Sequence, residues 1–209
     1  MVDGAANALG VLLTRRYSAA NTDREGEGVA FKREWVDEWV TKVAPGERLL
    51  SYVVAAMWTP IVVKETHGGN SWHDGPRATS LRIEGDAAMD RLIAELVADP
   101  TKRVAPSATG VFYALTTNRL LLGSRSSLRN RPNDLLHQAP ATAATVYWFD
   151  HEETAGNAFR HLLVDFGDGR WRRDRSGLTA LGKDLRATSN VDEFFAAMGT
   201  RAHQASPSV

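Results

Sequence analysis

Two periods organise the hydrophobic positions of this chain, one of strands and one of helices. From Val111 to Ser124 the sequence VFYALTTNRLLLGS holds two short apolar runs, Val111-Phe112-Tyr113 and Leu120-Leu121-Leu122. Aromatic and β-branched residues suit a pleated, half-buried surface. Asn tolerates the left-handed backbone of tight turns, so Thr117-Asn118 is the expected turn of a hairpin that Gly123 can end. Upstream, RLLSYVVAAMW over 48–58 reads as a buried strand, with an interrupted continuation at Ile61-Val62-Val63 after Pro60. Leu81 to Glu84 reads as a further strand. Downstream, TAATVYWFD and FRHLLVDFGDGRWRRD read as strands, with alternating Leu162, Val164 and Phe166 and a turn at Gly167-Asp168-Gly169.

The helical period appears in FKREWVDEWVTKV, where Phe31, Trp35, Trp39 and Val43 recur at intervals of four and share one face until Pro45-Gly46 stops the pattern. It returns in AAMDRLIAELVADP, with Asp86 as the expected cap, Met89, Leu92, Ile93 and Leu96 on one face, and Pro100 beyond the end. The last helix is NVDEFFAAMG, with Asn190 as N-cap, Glu193 three residues on and Gly199 at the C-terminal end. Residues 3 to 17 predict a short helix and 18 to 28 a polar connector. The stretches HGGNSWHDGPR and 125–140 read as polar loops, and the tail after Arg201 as frayed. The expected organisation is an N-terminal helical segment over 1–45, a domain over 46–199 with insertions near 64–104 and 125–140, and a flexible tail over 200–209.

Taken in order, GERLLSYVVAAMW, VFYALTTNRLLLGS, HLLVDFGDGRW and VDEFFAAMG resemble the pleckstrin-homology-like superfold, in particular GRAM and bacterial PH-type domains. The resemblance implies an α+β fold: a curved, antiparallel, seven-stranded partial β-barrel with a C-terminal capping helix. To that frame this chain adds N-terminal helices and an inserted helix.

Composition narrows the function. The chain has 209 residues, 43% of them hydrophobic, enough for a real core. Lys+Arg and Asp+Glu each number 25, so the electrostatic footprint of a general nucleic-acid binder is missing and no nucleic acid is expected. There is no cysteine, which removes disulfides, thiolate catalysis and cysteine-ligated zinc. Asp3 precedes the first apolar stretch and Arg15-Arg16 follows it, the reverse of a secretory signal, so a cytoplasmic location is expected.

Four places carry candidate chemistry. Arg170, Arg172, Arg173 and Arg175 form the densest basic cluster, RWRRDR, a candidate anion or lipid site. Strand alternation puts Arg170 and Arg172 on one face and Trp171 and Arg173 on the other. The resemblance implies a headgroup site near the first strand hairpin, where this chain offers only Lys64, Arg77 and Arg82; a solvated strand edge is the plainer meaning of the cluster. Phe31, Trp35 and Trp39 are the candidate protein interface, and docking on the core is the ordinary meaning of such a stripe. His67, His73 and Asp74 have spacing compatible with a metal but no evident third strong ligand, and read as surface loop. Asp150, His151, Glu152 and Glu153 combine acid and imidazole. Position 155 is Ala and His161 lies too far along for the zinc-protease pattern, so a polar hairpin tip ending at Gly156-Asn157 explains them with less.

The expectation is a non-catalytic adaptor with no cofactor, no metal and no assigned catalytic residue, engaging a protein partner. The alternative is a domain targeted to an anionic membrane, peripheral at its inner face, and the third reading is a small hydrolase or transferase. Salt separates the first two, because headgroup binding by arginines weakens with screening.

Overall fold

The hairpin read from the sequence is the middle of a large sheet. Strands β3 (Gly110–Thr116) and β4 (Arg119–Arg125) pair antiparallel, with Leu115 opposite Leu120 and Val111 opposite Ser124. Residues 111–116 and 120–124 are all buried, because both faces of the hairpin are covered. Gly123 lies inside β4 and does not end it. The computed structural model describes residues 31–57, 76–106, 108, 110–126, 129–154 and 156–205. The expected helix over 3–17, its connector, the continuation at 61–63 and the loop with Lys64, His67, His73 and Asp74 lie outside them.

Two antiparallel meanders build the sheet. One is β3, β4 and β5 (Pro132–Pro140); the other is β6 (Thr145–Thr154), β7 (Asn157–Asp165) and β8 (Arg170–Ala180). Strand β1 (Leu49–Met57) joins them, pairing with β3 along its length and with β8 only through Ala56–Arg175 and Met57–Asp174. Two-residue strands β2 (Arg103–Val104) and β9 (Lys183–Asp184) attach to β8, and β10 (Ala202–Gln204) runs parallel to β6. The resulting order is β10-β6-β7-β8-β1-β3-β4-β5, an unclosed, mostly antiparallel sheet. Nε2 of His137 in β5 lies 2.9 Å from Asp168 Oδ2 in the β7–β8 turn.

Alternation along the strands sorts side chains into three apolar clusters. Val53, Val111, Tyr113, Leu122, Leu162 and Val164 face helix α4 (Val191–Met198), which contributes Val191, Phe194, Phe195 and Met198. The opposite face of β1, β3 and β4, with Tyr52, Phe112, Ala114 and Leu121, is covered by Phe31 and by Val36, Trp39 and Val40 of α1 (Arg33–Val43). The opposite face of β6, β7 and β8, with Phe149, Leu163 and Trp171, takes Met89 of α2 (Pro76–Ala98). Short α3 (Arg186–Ser189) precedes α4.

Four local expectations change. Leu81 to Glu84 are helical, since α2 starts at Pro76 and not after Asp86; four alternating residues fit either period, and Pro is tolerated in a first helical turn. Residues 132–140 form strand β5, whose alternation sends Leu135 to the α1 cluster and Leu136 to the α4 cluster. Its outermost place leaves most other positions polar, with Ala139 buried in the α4 cluster, and its prolines sit at the two ends. Asn190 makes no side-chain cap: at φ 56 its amide instead donates to the Tyr52 carbonyl at 2.9 Å, tying α4 to β1. The segment after Arg201 is not frayed through residue 205, because it forms β10.

Candidate functional site

The RWRRDR strand is divided by its own alternation. Arg170 is exposed and donates to the Val104 carbonyl at 3.3 Å. Arg172 points into the α4 side of the sheet and is 3% exposed. Its Nε meets Asp174 Oδ2 at 2.5 Å, and its Nη atoms donate to the carbonyls of Pro106 and Ala108. Arg173 emerges on the α2 side, buried, with Asp90 at 3.1 Å. The half-buried Arg175 guanidinium lies 4.4 Å above the Phe159 ring. The four arginines therefore do not form one solvated basic patch.

The Arg172–Asp174 pair is closed by Tyr113, whose hydroxyl donates to Asp174 Oδ2. Burial pushes the Asp174 carboxyl above its ordinary range, against the opposing pull of Arg172 and of the tyrosine hydrogen bond. Burial first, and then the adjacent Asp174 charge, push the Tyr113 phenol well up. Asp174 Oδ1 is buried with no hydrogen-bond partner among the described residues. Three polar groups thus sit together in an apolar interior, where removing one leaves the others desolvated and unmatched.

Beside this triad a cleft of about 400 Å³ opens between the end of β1, β2, β8 and α2. Met57, Ile93, Val104 and Trp171 make its apolar walls, and Arg172, Arg173 and Asp90 also line it. Met57 is 44% exposed and Val104 58%, so an apolar rim faces solvent. A volume of this size falls within the usual range of ligand pockets. No signal in the sequence could have found it: four separate elements supply its lining, and only the exposed methionine closing the β1 run hints at it. A smaller, more polar cleft holds Glu95, Asp99 and Tyr147 near Lys102, whose ammonium lies 3.0 Å from Asp165.

No protein-family model, curated protein or solved structure matches this chain.

The other candidates are placed as follows. Phe31 and Trp39 are buried against Phe112, at ring separations of 5.2 and 4.8 Å, and Trp39 Nε1 donates to the Asn133 carbonyl at 2.8 Å. Trp35 is half-buried, with the Arg131 guanidinium 4.4 Å from its ring and the Lys32 ammonium at 5.5 Å. The stripe thus docks on the sheet, leaving Trp35 at its margin. Asp150 accepts from Arg160 at 2.7 and 2.8 Å, and Glu152 from the Gly156 amide at 3.1 Å. Exposed Asp150 and buried His151 are consecutive in β6 and so project to opposite faces. His161 stacks on Phe149 at 4.7 Å. Glu153 falls in β6, while Arg77 and Arg82 fall in α2. Among the described residues there is no group of three or more His, Asp or Glu that could hold a metal, and no helix long and apolar enough to cross a membrane.

Proposed function

We propose that this chain is a non-catalytic binding protein on a PH/GRAM-like scaffold, engaging a protein partner through the cleft between β1, β2, β8 and α2. The scaffold reading draws support from seven strands of seven residues or more, β1 and β3 to β8, and from a closing helix packed across one face. The observation that carries the binding mode is the charge state of the cleft. Both of its arginines already face carboxylates, Arg172 with Asp174 and Arg173 with Asp90, while Met57 and Val104 stand exposed at the rim. Such a surface favours an apolar side chain inserted from a partner over a bare phosphate. A non-catalytic role is supported by the opposed directions of Asp150 and His151. The membrane reading keeps one exposed arginine of the four, Arg170.

The test is a pull-down from cytosolic and membrane fractions at low and high salt, with wild-type protein and Val104→Glu. A specific protein kept at high salt and lost from Val104→Glu is the expected result. Recovery only on phosphatidylserine vesicles, lost at high salt and in Arg170→Glu, would replace this reading with membrane targeting.

A further inference from the structure

Two short strands pair parallel in this sheet, β2 with β8 and, last along the described chain, β10 with β6. β10 is three residues long and parallel, on the edge of a sheet whose long strands all pair antiparallel. It places Ala202 opposite Val146, His203 opposite Tyr147 and Gln204 opposite Trp148, and the Ala205 amide then donates to the Trp148 carbonyl at 2.7 Å. Side-chain burial is slight: Ala202 and Ala205 are partly covered, while His203 and Gln204 are exposed. Parallel pairing is the weaker kind per residue, and three residues of it hold little. The segment stays because Arg201 anchors its start, donating to the carbonyls of Met198, Ala141 and Ala197.

Remove that segment and the edge of β6 presents unpaired backbone donors and acceptors beside the exposed flank of Tyr147. This is the surface that strand addition uses: main-chain hydrogen bonds supply affinity, and alternate side chains supply specificity. We propose that the β6 edge receives an extended peptide segment from a partner protein, and that residues 202–205 occupy the same place in cis until displaced. The cis occupant defines the chemistry of the visitor. Small side chains belong at the Ala202 and Ala205 places, which pack against the apolar clusters on opposite faces of the sheet. A flat ring suits the His203 place, where the imidazole lies 5.7 Å from Tyr147. The cleft lined by Met57 and Val104 plays no part in this, so either assignment can fail without the other.

A tethered segment acts at an effective concentration of about millimolar, so a free micromolar peptide scarcely competes while the cis strand is seated. Ala205→Pro removes the donor to Trp148 and leaves β6 untouched. A labelled peptide of residues 200–209 is titrated into full-length wild-type protein and Ala205→Pro. The expected result is an apparent Kd at least ~10-fold lower for the variant, with no binding of a peptide carrying Trp at both Ala places. Equal affinity for the two proteins, with the variant's melting unchanged, overturns the proposal, as does equal binding of the two peptides. Should Ala205→Pro not fold, Arg201→Ala frees the segment at its anchor and the same titration decides. Amide exchange on the wild type gives an independent reading. The Ala205 amide exchanges orders of magnitude faster than Leu163 if the strand opens locally; the same rate at both would make β10 an integral strand and end the proposal.

Discussion

Gly123 lies directly beneath the ring of Phe112. The two residues are opposite one another in the β3–β4 ladder, and a Cβ at position 123 would stand 2.3 Å from Phe112 Cζ. A ring whose tip comes this close to the backbone leaves room for hydrogen only. Gly123→Ala is therefore expected to lower stability by about 1–3 kcal/mol through overpacking. Adding Phe112→Leu should recover part of that loss. Urea midpoints of the single and double variants measure both, and a simple sum of the two single effects would show that the ring is not the obstacle.

The aromatic stripe of α1 predicts an unequal pair. Trp39 fills the cluster around Phe112 and donates to Asn133, so Trp39→Ala should cost about 3–5 kcal/mol. Trp35→Ala loses exposed cation–π contacts with Lys32 and Arg131, worth about 1 kcal/mol or less. Denaturant unfolding of both variants reads the difference. Comparable losses would mean that Trp35 belongs to the core.

The pH response of the Asp174 triad runs opposite to that of an ordinary surface ion pair. Burial holds the native carboxyl above its ordinary value of 3.8. The native state therefore binds the proton more tightly than the unfolded chain, and that part of its stability is fully present below 3.8. It is lost as pH rises through the raised native value. Asp174→Asn removes the titration. The stability advantage of wild type over Asp174→Asn should accordingly shrink as pH is raised from about 4. An advantage that grows over this range would contradict the desolvated carboxyl.

Arg160 ties α4 to the β6–β7 meander. It chelates Asp150, reaches Asp192 at 3.3 Å, and lies 4.3 Å above Trp148 and 4.9 Å from Phe195. Lysine keeps the charge but has neither the fork nor the plane. Arg160→Lys should destabilise the protein by about 1–3 kcal/mol, read as a lower melting temperature. An unchanged melt would assign the contribution to charge alone.

What the sequence disclosed follows from how local each interaction is. The β3–β4 and β7–β8 hairpins were legible because turn and flanking runs are contiguous, and the helical face of Met89, Leu92, Ile93 and Leu96 because its period is unambiguous. β5 was not, since an outermost strand keeps only Leu135, Leu136 and Ala139 as apolar positions and otherwise reads as polar loop. Strand β10 was hidden for the opposite reason: nothing in Ala-His-Gln announces a strand until β6 offers an edge. At the site, alternation correctly set Arg172 and Arg173 on opposite faces. What decided their meaning was the company of Asp174, Tyr113 and Asp90, and two of these three arrive from distant segments.

The place of β1 bears on how the chain is made. It is the earliest of the long strands described and the seam between the two meanders, held to β8 by only two residue pairs. During synthesis, β1 can zip onto β3, β4 and β5 while its second edge waits for residues more than a hundred positions later. At roughly 5–20 residues per second, that edge stays open for several seconds. Half a sheet with one flank bare is a template for other strands, so a nascent chain paused before β8 is the stage most exposed to mispairing and most dependent on chaperones.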